Sequence, residues 1–93
     1  MKYPIELYSS ILGLSWDKDG KPYNYRTLNK IIIDGNDIIQ IEDHYDKKDK
    51  TNNMNFTVLI MDQSKYGTNN RIQVAEDIKT ICTLISDAKN KNI

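Results

Sequence analysis

Ninety-three residues, 39% hydrophobic and 28% charged, suffice for one hydrophobic core, fall short of two, and have the composition of a folded chain. Thirteen basic side chains balance thirteen acidic ones, which removes the attraction to a polyanion behind most non-specific nucleic-acid affinity. The lone cysteine, Cys82, excludes an internal disulfide, no apolar run approaches the roughly 18 residues of a membrane span, and Met1-Lys2-Tyr3-Pro4 leads into a mixed segment, so a cytoplasmic protein is expected, with no membrane partner.

In chain order, Pro4 suits a first helical turn, and Ile5, Tyr8, Ile11 and Leu12 follow helical spacing until Gly13, predicting a short N-terminal helix. Asp17-Lys18-Asp19-Gly20 is a turn, with Leu14 to Trp16 and Tyr23 to Arg26 as a hairpin running into the strand at Leu28. Leu28 to Ile33 and Ile38 to Tyr45 are rich in β-branched residues, and Asp34-Gly35-Asn36-Asp37 between them predicts a second hairpin. One face of it would carry Leu28, Lys30, Ile32, Ile39, Ile41, Asp43 and Tyr45, and that face is expected to pack on a helix.

Asp46 to Asn53 contains no apolar residue and reads as a solvated connection. Met54 to Met61 resumes strand character, and consecutive Val58, Leu59, Ile60 and Met61 place that strand inside the sheet. Val74, Ala75, Ile78, Ile81, Cys82, Ile85 and Ala88 gather into one stripe at 100° per residue, predicting a helix over about residues 70 to 90. Asn70 and Gln73 resemble a capping box, and Lys89 and Lys91 suit the negative end of the dipole. The expected fold is α+β: a single small two-layer domain, an antiparallel β-meander of three to four strands packed against the C-terminal amphipathic helix, with the short N-terminal helix.

Few residues carry a chemical signal. Glu42, His44 and Asp46 alternate onto one strand face and are weak candidates for a metal site, where a solvated strand end is the plainer reading, so no metal or other cofactor is expected. The turn at Gly20 fails as a calcium loop, because Arg26 stands at the twelfth position where a bidentate glutamate is needed. Cys82 lies in the predicted apolar stripe, which makes it a core residue instead of a nucleophile. No serine sits in a glycine-flanked elbow, and the four glycines form no phosphate-binding loop. Asn55-Phe56-Thr57 is a sequon by chance, since it falls inside a predicted strand.

Trp16, Tyr23, Tyr25 and Arg26 cluster about one hairpin and are the residue types enriched in interface hot spots. The expectation is a non-enzymatic domain, an inhibitor, adaptor or immunity-type factor that docks on a larger protein partner through these four residues. The alternative is a nucleic-acid-binding accessory protein that stacks bases on the same aromatics beside Lys18, Lys21 and Arg26, an assignment that Asp17 and Asp19 weaken. Isoleucine, lysine and asparagine dominate while arginine is confined to Arg26 and Arg71, a codon bias of AT-rich genomes that fits a phage or mobile-element origin.

Overall fold

The first 34 residues place apolar side chains at both odd and even positions, and in the computed structural model, which describes residues 2–44 and 55–91, they form one long hairpin. β1 (Pro4–Trp16) and β2 (Pro22–Asp34) are antiparallel strands of 13 residues each. They pair without interruption from Pro4 opposite Asp34 to Trp16 opposite Pro22. The Asp17 carboxylate closes the turn by accepting the N–H groups of Asp19 and Lys21, both at 2.9 Å. Gly20, at φ 77°, takes the left-handed conformation there.

The expected N-terminal helix is therefore replaced by β1. Ile5 and Leu7 point to one face, while Tyr8, Leu12, Leu14 and Trp16 point to the other. A strand that is apolar on both faces offers the same i, i+3 and i+7 coincidences as an amphipathic helix, and only long-range pairing with β2 decides between them.

Three more strands complete the sheet: β3 (Ile38–Asp43), β4 (Thr57–Met61) and β5 (Arg71–Val74). A one-turn helix, α1 (Gln63–Tyr66), joins β4 to β5, and α2 (Ile78–Lys91) ends the chain. The order is β2-β1-β5-β4-β3 with every neighbour antiparallel, so the α+β assignment holds with five strands in place of three or four. β3, β4 and β5 form a meander, and β1 pairs with β5 at the bridge Ser9–Val74.

The hairpin expected around Asp34 to Asp37 does not form, because β2 and β3 occupy opposite edges of the sheet. A 3-10 turn (Gly35–Asp37) links them instead. Four interstrand spacings would separate the edges of a flat five-stranded sheet by about 19 Å, whereas the four Cα steps from Asp34 to Ile38 reach at most about 15 Å. The sheet must therefore coil until its edge strands converge. Hydrogen bonds secure that end: Gly35 N–H to Tyr3 O and Asp62 N–H to Asp37 O, each 2.8 Å.

The concave face encloses the core of Ile5, Leu7, Ile33, Leu59, Met61, Val74, Ile81 and Ala88. With β2 and β3 unpaired, the expected facing of residues 28–33 reverses: Ile31 and Ile33 turn inward and Leu28 and Ile32 face out, while Ile41 of β3 does join the core. β4 lies between β3 and β5, interior as its four-residue apolar run predicted, with Val58 and Leu59 both buried.

Helix α2 starts later than its periodicity suggests. Arg71 to Val74 fill the slot between β1 and β4 as β5, and Asn70 donates its side-chain N–H to Met61 O instead of capping a helix. Asp77 provides the cap, its carboxylate accepting Thr80 N–H at 2.8 Å. Ile81 and Ala88 are the buried residues of α2, and Leu84 and Ile85 pack beside them. Cys82 is exposed, so its assignment to the core is corrected.

Candidate docking surface on the hairpin arm

Strands of 13 residues span roughly 40 Å, and α2 packs on the part of the hairpin near Ile5, Leu7 and Ile33. The rest projects as an arm. Extents of 56 × 28 × 19 Å and a radius of gyration of 15.3 Å, against about 12 Å for a compact chain of this length, record that projection.

The alternation along β1 and β2 sorts the whole hairpin's side chains by face. The face continuous with the convex side of the sheet carries Tyr8, Leu12, Leu14, Trp16, Leu28 and Ile32, all exposed. Leu14 and Trp16 retain 55% and 61% of their surface. The face continuous with the core carries exposed Ile11, Tyr23 and Tyr25 beyond the point where α2 covers it. Nine of the ten large exposed hydrophobic residues among those described thus belong to this one hairpin, with Ile39 the exception. Such concentration exceeds the scattered apolar exposure normal for a soluble surface.

Of the four residues singled out from the sequence, Trp16 and Tyr23 flank the turn on opposite faces. Tyr23 and Tyr25 share a face with ring centroids 6.4 Å apart. The Tyr25 ring lies over Gly13, directly opposite on β1, and a Cβ at Gly13 would fall 2.3 Å from it. Arg26 turns away from the arm: its guanidinium donates to Gln73 Oε1 at 2.9 Å and sits 4.6 Å from the Phe56 ring centroid. The four residues therefore do not form one patch. Sequence reading missed Ile11, Leu12, Leu14 and Leu28, the first two because they fitted the helical stripe and Leu28 because it was assigned to a helix-facing surface.

At the sheet end of the convex face, Phe56 also stacks on His44 with centroids 4.8 Å apart and rings 4° from parallel. Glu42 accepts from Arg71 at 2.7 Å and lies 3.3 Å from His44 Nε2. The hydrogen bond from Arg71, followed by that from His44, holds the Glu42 carboxyl below its usual range. Glu42 and His44 do share a face as expected, while Asp46 lies outside the described residues. Among those described, no group of three or more His, Cys, Asp or Glu side chains converges as a metal site would require. Glu42 is engaged by a guanidinium, which makes it a partner in a surface ion pair.

No protein-family model, curated protein or solved structure matches this chain.

Proposed function

We propose that the chain is a protein-binding domain whose projecting hairpin docks on a larger protein partner, in the manner of an inhibitor, adaptor or immunity-type factor of a phage or mobile element. One observation carries the reading: the exposed apolar side chains of Ile11, Leu12, Leu14, Trp16, Tyr23 and Tyr25 concentrate on an arm outside the core. Trp16 and the tyrosines supply large contact area at low entropic cost, as interface anchors do. A single exposed thiol, Cys82, suits the reducing cytoplasm, where we place the protein as a one-domain factor.

A nucleic-acid reading draws on a different observation, the aromatic and guanidinium groups on the convex face. Phe56 with Arg26 over its ring resembles the stacking platforms that bind single strands. That ring is already stacked by His44, and the two arginines are held by Gln73 and Glu42, so base stacking would have to displace contacts already made. The protein reading is preferred.

The test is affinity capture from the source cell with the wild-type chain and with Trp16→Ser/Tyr23→Ser. A defined protein that is retained by the first and lost by the second, with weak dependence on salt, is the expected result. Retention of nucleic acid with steep salt dependence would instead establish the alternative.

A further inference from the structure

The arm leaves the sheet at one level. Ile5 and Leu7 lie in the core, and Tyr8 donates its N–H to the Glu76 carboxylate at 3.0 Å and accepts Ala75 N–H at 2.9 Å. The pairing of β1 with β5 ends at the bridge Ser9–Val74. Beyond it the two strands diverge around a cleft of about 430 Å³ lined by residues 9–12 and 71–73. From Ile11 to Trp16, β1 is paired with β2 and with no other strand among the described residues. A two-stranded ribbon lacks the neighbours that fix its twist and direction, and the cleft gives this one room to swing toward β5.

Arg26 crosses that gap. It is set on β2 opposite Leu12, three residues outward of the Ser9–Asn29 pair. Its guanidinium reaches back across β1, donating to Ser10 O at 3.4 Å and to Gln73 Oε1 of β5 at 2.9 Å, and lies 4.6 Å from the Phe56 ring centroid. Both far anchors are fixed in the sheet: Gln73 stands opposite Val58 of β4, and Phe56 accepts His44 N–H at 3.0 Å while its ring stacks on that of His44. Arginine suits the position, because a guanidinium donates within its plane while presenting its face to a ring. The contact ties β2 to β5 and to Phe56 without passing through the β1–β5 ladder.

We propose that Arg26 is a positioning residue that latches the arm at one angle to the sheet, with the level of Ser9 and Asn29 as the hinge. Beyond the hinge the ribbon moves as a unit, since β1 and β2 pair without interruption and the Asp17 carboxylate closes their turn. Leu12, Leu14, Trp16, Tyr23 and Tyr25 are therefore carried together, and a small change of angle at the root becomes a large displacement at the tip. The consequence for binding rests on the docking reading. A latched arm meets its partner already oriented, whereas a released arm must be ordered on docking and binds more weakly.

The distance between two spin labels, measured without any partner, tests the latch. One label goes on Cys82, the sole cysteine and exposed on α2, and the other on Lys18→Cys at the turn. The chain so labelled should give a single narrow distance distribution. Arg26→Met, which keeps an apolar stem and loses the charge and the donors, and Gln73→Ala, which removes the acceptor on β5, should each broaden or shift it while the circular dichroism of the folded chain is retained. Combining the two should broaden it no further than Arg26→Met alone, because both act on one contact. A broad distribution with Arg26 and Gln73 in place would overturn the proposal. So would an unchanged one in folded Arg26→Met, or in Gln73→Ala where Arg26→Met does not fold. Neither result touches docking, which stands or falls on the partner lost by Trp16→Ser/Tyr23→Ser, since the labels read the angle of the arm alone.

Discussion

Asp34 is buried, and its carboxylate accepts the N–H groups of Lys2, Tyr3 and Asn36, each at 2.9 Å. Burial alone would raise its pKa, but these three donors outweigh burial and hold it below its ordinary value of 3.8. A carboxylate depressed in the folded state contributes stability above its unfolded pKa and loses it as pH falls through the folded value. Thermal stability should therefore decline in the acid limb below about pH 4, and Asp34→Asn should flatten that limb in melts taken across pH. Asp34→Ala, which leaves three donors without their acceptor, should cost about 1 to 3 kcal/mol in denaturant titrations. Thr57 is the opposite case. Its hydroxyl is buried with no hydrogen-bond partner among the described residues. Thr57→Val keeps the shape and removes the stranded hydroxyl, so it should raise stability by about 1 kcal/mol. A loss of stability would mean that the hydroxyl has a partner.

At the scale of elements, α2 was legible because its period of 3.6 is written in Ile78, Ile81, Ile85 and Ala88, and its lysines sit at the end the dipole favours. Its start was not, because Val74 and Ala75 extend the same period while pairing with β1 and β4 holds Arg71 to Val74 as a strand. The turn at Asp17 to Gly20 was legible because its chemistry is local. Asp34 to Asp37 has equally good turn residues and joins strands at opposite edges, a long-range arrangement that no local pattern records. Ile81, fully buried, is the centre of the helix contact. Ile81→Ala should cost about 2 to 5 kcal/mol, whereas exposed Thr83→Ala should stay within about 0.5 kcal/mol. Equal effects in thermal melts would show that α2 presents a different face to the sheet.

For the whole molecule, the division is between a coiled sheet closed by α2 and an arm that leaves it. The aromatic residues near the turn were legible as interface types, and Trp16, Tyr23 and Tyr25 do stand on the arm. The arm's length and its leucines were not, since the first strand carried a helical period and its pairing with β2 is set by contacts up to 30 residues apart in sequence. Arg26 shows the limit of a composition argument: adjacent to Tyr25 in the chain, it serves the convex face of the sheet instead. The most direct test of the central claim, that the arm binds a partner and contributes little to the core, measures thermal unfolding of Trp16→Ser/Tyr23→Ser in dilute solution together with its affinity for the captured partner. The predicted result is a melting temperature within about 4 °C of wild type, equivalent to no more than about 1 kcal/mol, with binding weakened by about 2 kcal/mol or more. Early melting with proportional loss of binding would make the arm part of the core, and a folded variant that binds normally would place the interface elsewhere.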